Sequence, residues 1–88
     1  MYNNILYPQH ISWNSLKDSI FVFDEITNKM YLLKGVSREF WMLILHNNDF
    51  DDIIKTLAEN KNIEYSVMRN DILQITKRLV KNNLLIWS

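Results

Sequence analysis

The sequence predicts an α+β fold: a three-stranded antiparallel sheet followed by three helices and a short C-terminal strand. Three observations predict it. Short β-rich apolar runs precede Gly35, apolar residues recur at helical spacing after it, and the last run, residues 84–87 (LLIW), is too short and too apolar for another helix. With 88 residues, 48% of them apolar, the chain can build one core but not two, so residues 1–88 are expected to form a single domain.

Residues 9–14 (QHISWN) alternate Ile11 and Trp13 with polar neighbours and make the first strand. Residues 19–24 (SIFVFD) make the second and residues 29–33 (KMYLL) the third. Between these two, Thr27 and Asn28 supply turn chemistry, Asn28 tolerating φ > 0, so the pair is expected to form a hairpin. Ile20 and Val22 point opposite to Phe21 and Phe23, and Met30 and Leu32 opposite to Tyr31 and Leu33. Both faces are therefore apolar, while three helices cover one face of so small a sheet. Apolar surface on or beside the third strand is expected to remain for a partner.

After Gly35, Ser37 is the expected N-cap of REFWMLILH, in which Phe40, Trp41, Ile44 and Leu45 share a face. Asp49 caps a second helix, with Asp51 and Asp52 in its first turn and Ile53, Ile54, Leu57 and Ala58 as its apolar stripe. Residues 60–65 connect. Ser66 is the expected cap of a third helix running to about Asn82, where Asn82 and Asn83 can supply a left-handed stop.

The third helix has more apolar residues than one buried face needs. Within MRNDILQITKRLV, Met68, Ile72, Ile75 and Leu79 fall on one arc, as a core-facing stripe does. Leu73, Thr76 and Val80, with Arg69 at one end and Lys77 at the edge, form a second row about 90° away. Either that row packs on a second neighbour, or it walls a groove beside the third strand.

Several chemistries are excluded. Without cysteine there is no disulfide, thiolate metal site or thiol nucleophile. His10 and His46 have no carboxylate at ligand spacing, and Asp49, Asp51 and Asp52 are the ordinary acids of a helix N-terminus, so no metal or cofactor is expected. One glycine cannot build a phosphate-cradling loop, and no serine sits in a nucleophile elbow. No catalytic group is therefore expected. Trp41 reads as core, and Trp13 and Trp87 as core residues at strand ends. No apolar run approaches a membrane span and the N-terminus does not read as a secretory signal, so a cytoplasmic protein without a membrane partner is expected.

Helices two and three followed by a strand also look like a helix-turn-helix with a wing, whose recognition helix would carry Arg69, Asn70, Gln74, Lys77, Arg78 and Lys81. A net charge of zero and an acidic second helix weigh against nucleic acid. DNA binding is therefore the alternative reading.

Over about residues 9–87 the chain resembles the PqqD-like family, the RiPP recognition elements that bind leader peptides of ribosomally made, modified natural products. The resemblance rests on the ISW strand, the hairpin FVFDEITNKMYLL, the helix GVSREFWMLIL, the segment NNDFDDIIKTLAE and the closing DILQITKRLVKNNLLIW. Asn28 and Asn83 stand where that pattern commonly has glycine, a replacement whose backbone is compatible. The ISW opening looks most like stand-alone members found beside lasso-peptide leader peptidases; similar small members serve radical-SAM enzymes. The resemblance implies a winged-helix fold in which a leader peptide adds as an extra strand along Lys29, Met30, Tyr31, Leu32 and Leu33. Its side chains would enter the groove between residues 29–33 and helix 66–82. On the residue-level reading, Leu73, Thr76 and Val80 would line that groove while Arg69 and Lys77 attract leader acids. The partners implied are a precursor leader peptide and a leader peptidase or modifying enzyme.

Overall fold

The computed structural model describes residues 3–88. In chain order the elements are β1 (Ile5–Leu6), β2 (Ile11–Leu16), β3 (Ser19–Asp24), β4 (Lys29–Lys34), α1 (Gly35–Ile44), α2 (Phe50–Lys61), α3 (Tyr65–Lys81) and β5 (Ile86–Trp87). The expected three strands are β2, β3 and β4, paired antiparallel in that order. Val22 stands opposite Trp13 and Tyr31, and Phe21 opposite Asn14 and Leu32.

Turn chemistry fixes the β3–β4 hairpin as expected. Asn28 takes the left-handed conformation (φ 61°), and the Asp24 carboxylate accepts the amides of Ile26 (2.9 Å) and Thr27 (3.2 Å). Desolvation works to raise the pKa of this carboxyl, but those two amide bonds outweigh it and hold the group below the ordinary aspartate value. Lys17 (φ 56°) makes the tighter turn between β2 and β3.

Helix starts differ from expectation at two places. α1 begins at Gly35, which has φ +59°, and is entered from extended Lys34 with no side-chain cap; Ser37 lies inside the helix. α3 is entered from Glu64, likewise without a side-chain cap, so Ser66 lies in its first turn. In both cases extended backbone at the entry residue sets the boundary. Asp49 does cap α2, its carboxylate accepting the Asp52 amide at 3.0 Å. After α3 the left-handed residue is Asn83 (φ 60°) while Asn82 is not.

The helices cover one face of the sheet. Ile20, Val22 and Leu33 of that face are buried with Phe40, Trp41 and Ile44 of α1, Ile53, Ile54 and Leu57 of α2, and Met68, Ile72, Ile75 and Leu79 of α3. Trp13 is half-buried and meets Trp41 edge to face at 6.3 Å, with Tyr7 packed against both rings. Burial pushes the Tyr7 phenol up, and its hydroxyl donates to the Trp41 carbonyl. On the other face Phe21 and Phe23 are half-buried while Met30 and Leu32 are 64% and 51% exposed, so the apolar surplus does remain at the surface.

The closing strand pairs with β1, an element the sequence reading does not assign. Ile5 stands opposite Trp87 and Leu6 opposite Ile86. The amides of Asn3 and Asn4 donate to the Ser88 carbonyl, and the Ser88 amide donates back to Asn4 at 2.8 Å. On its other side β1 is held by the segment before α2, through Ile5 N to Asn48 O (2.9 Å) and Phe50 N to Asn3 O (2.8 Å).

Candidate functional site

A strand order of β2-β3-β4 leaves both outer strands with an unpaired edge. The two edges have different surroundings. Beside β4 lies a cleft of about 250 Å³ whose other wall is the C-terminal half of α3. From β4 come Tyr31, Leu32, Leu33 and Lys34; from α3 come Ile75, Arg78, Leu79 and Asn82; Ser37 and Leu84 close the ends. The groove of about 770 Å³ that reaches toward β2 touches Gln9 and His10, ahead of the strand, and continues along β1, β5 and the end of α1. β1 offers no free edge there, since β5 and the 48–50 segment take its two sides.

An open strand edge beside a walled cleft has a specific chemical capacity. Its outward amides and carbonyls pair with any extended chain, while alternate side chains of that chain enter the cleft. Here the cleft floor is apolar, from Leu33, Ile75, Leu79 and Leu84, all buried. Its rim is cationic. Lys34 and Arg78 line it and Lys29 begins the same edge, all three exposed. Among the described residues the ion pairs are Lys55–Asp51 (3.1 Å) and Lys61–Glu39 (2.7 Å), so none of these three cations is engaged.

The structure divides the residues expected to form the groove. Tyr31, Leu32 and Leu33 line the cleft, and Lys29 and Met30 belong to the same edge strand. The second row of α3 does not line this cleft. Arg69 and Leu73 line a separate cavity of about 450 Å³ with Asp49, Asp51, Phe50, Tyr65 and Trp87, between the starts of α2 and α3 and the last strand. Thr76 is fully buried, its hydroxyl donating to the Ile72 carbonyl at 2.7 Å. Val80 is half-buried against the core, and Lys77 is exposed and lines neither cavity. The wall facing β4 is instead the edge of the first stripe, Ile75 and Leu79, with Arg78 and Asn82 beside them. Sequence spacing marks Ile75 and Leu79 as core; that the same residues also floor a cleft depends on where β4 ends, which periodicity does not report.

The Arg69 cavity has its own electrostatics. Asp51 accepts a hydrogen bond from the Tyr65 hydroxyl and pairs with Lys55. The Tyr65 bond, then Lys55, hold the Asp51 carboxyl below its usual value, and the Asp51 bond raises the Tyr65 phenol. Arg69 adds a favourable field to Asp51 from across that cavity. A DNA-recognition role for α3 therefore finds no support: the first cation of the supposed recognition surface stands among acids. His10 Nε2 donates to the Asn83 carbonyl at 3.0 Å, and no group of three His, Asp or Glu among the described residues could hold a metal ion. Among those residues no helix is long and apolar enough to cross a membrane.

Residues 19–85 match the family described as coenzyme PQQ synthesis protein D (PqqD). The fold is similar to that of TbiB1 in complex with the TbiA(beta) leader peptide, with a TM-score of 0.86 at 14% identity over 91% of this chain and 93% of that one. It is similar also to lasso peptide synthetase B1 complexed with the leader peptide, with a TM-score of 0.84 at 14% identity over 94% of this chain and 98% of that one. No curated protein matches in sequence.

Proposed function

The chain belongs to the PqqD family, and on that premise we propose that it binds the leader segment of a ribosomally made precursor peptide as an added strand on β4. The observation that carries this reading is the free β4 edge beside the cleft walled by α3. Main-chain pairing to β4 supplies affinity, and side chains seated on Leu33, Ile75, Leu79 and Leu84 supply selectivity. Lys29 to Leu33 keep the role expected of them, while the α3 contribution passes from Leu73, Thr76 and Val80 to Ile75, Arg78, Leu79 and Asn82.

The protein acts without catalysis of its own, holding the leader near a separate enzyme and so raising the local substrate concentration there. A lasso-type leader peptidase in the cytoplasm is the preferred partner, because the two similar solved structures are lasso-type and TbiB1 proteins holding leader peptides. A radical-SAM modifying enzyme is the second candidate. Titration of the isotope-labelled chain with synthetic leader peptides of ribosomally made precursors tests the site. Amide shifts and slowed hydrogen exchange are expected along residues 29–34, with side-chain shifts at Ile75 and Leu79. Shifts confined to Arg69, Leu73 and Trp87 would move the site to the other cavity and sink the proposal.

A further inference from the structure

The β4 edge begins and ends on a lysine: KMYLLK, with Lys29 and Lys34 exposed and five positions apart. Neither is engaged in an ion pair among the described residues. Asp24 stands opposite Lys29 on β3, but its carboxylate turns into the hairpin and accepts the Ile26 and Thr27 amides. Arg78 adds a third unpaired cation where it lines the cleft with Lys34. Asp71, two turns earlier on α3, is exposed and does not line that cleft.

From this placement, and resting on the strand-addition reading above, we infer that the peptide accepted by β4 carries carboxylates opposite Lys29 and Lys34, five positions apart, with apolar residues between them opposite Tyr31 and Leu33. Residues directly opposite each other on paired strands share a face, so the positions facing Tyr31 and Leu33 enter the cleft. The two acids cap the segment at its ends, and the five-position spacing holds whichever direction the peptide runs. Either lysine gains a cross-strand partner that no described residue of this chain provides.

Selection of a displayed library of random twelve-residue peptides on the full chain tests the inference, run in parallel on Lys34→Glu and Lys34→Gln. Lys34 is exposed and its side chain caps nothing, so these variants keep the fold. Wild type should enrich peptides with two Asp or Glu positions five apart and apolar residues between. On Lys34→Glu one of those positions should turn to Lys or Arg, by roughly two- to thirtyfold in frequency, with Lys34→Gln intermediate. Replacing either acid of a selected peptide by its amide should weaken binding about two- to fivefold, an effect that shrinks with added salt. Enriched peptides that alternate apolar residues and protect the β4 amides, yet show no preference for acids, overturn the charge inference and leave strand addition standing. A selection yielding no peptide that protects those amides overturns both.

Discussion

Arg78 and Leu73 exchange the roles that periodicity assigns them. On a helical wheel Leu73 belongs to the second apolar row, expected to wall the groove, and Arg78 to the polar side. In the structure Arg78 lines the cleft beside β4, and Leu73 is half-buried with Phe50 and Trp87 in the cavity between α2, α3 and the last strand. Leu73→Asp should therefore act on stability, lowering it by about 1–3 kcal/mol through a polar group placed against apolar neighbours. Peptide affinity of the folded fraction should be unchanged. Arg78→Glu should leave thermal unfolding near wild type and weaken binding of acid-bearing peptides; calorimetry paired with titration reads both. Thr76, in that second row, lies in the core. A hydroxyl counts as polar in a sequence pattern, yet one that bonds back to the carbonyl four residues earlier can be buried completely, as Thr76 is on Ile72. The wheel gives the angle between two rows correctly and is silent about which neighbour stands at each angle.

Among the elements, the passage from β4 to α1 rests on Gly35. Its φ of +59° lies in the left-handed region, and a Cβ there would meet nothing within 4 Å. Gly35→Ala should thus cost roughly 1–2 kcal/mol from backbone conformation alone, without a steric component, and Gly35→Asn should recover part of it. Denaturant titration of the two variants checks the ranking. How legible each element was follows from how local its signal is. β3 and β4 announce themselves through alternation and the Asn28 turn, and α2 through Asp49, because those interactions span a few residues. The entries to α1 and α3 were misplaced because Ser37 and Ser66 looked like caps, whereas Lys34 and Glu64 enter those helices without side-chain bonding. β1 left no trace in the local pattern, since two residues, Ile5 and Leu6, become a strand only by meeting Trp87 and Ile86 from the far end of the chain. The cleft inherits this division. Its β4 wall follows from the KMYLL run, while its α3 wall requires knowing how the helix is set against the sheet.

For the whole molecule, zero net charge conceals a separation of sign. The start of α2 carries Asp49, Asp51 and Asp52, whereas the β4 edge and the last turns of α3 carry Lys29, Lys34, Arg78 and Lys81. Charges separated by sign in this way orient an approaching acidic segment more than they hold it, an effect that salt removes. The pairing of β1 with β5 has a mechanical consequence as well. Asn3 and Ser88 meet at the same end of that two-stranded ribbon, so tension applied through them peels the strands apart one hydrogen bond at a time. β1 is gripped also by the 48–50 segment, so β5 should be the side that lifts. Optical-tweezer pulling from these two positions should record a small extension at low force before the sheet yields. In that partly opened form the β4 edge would still be intact, a cargo site that outlasts the clasp.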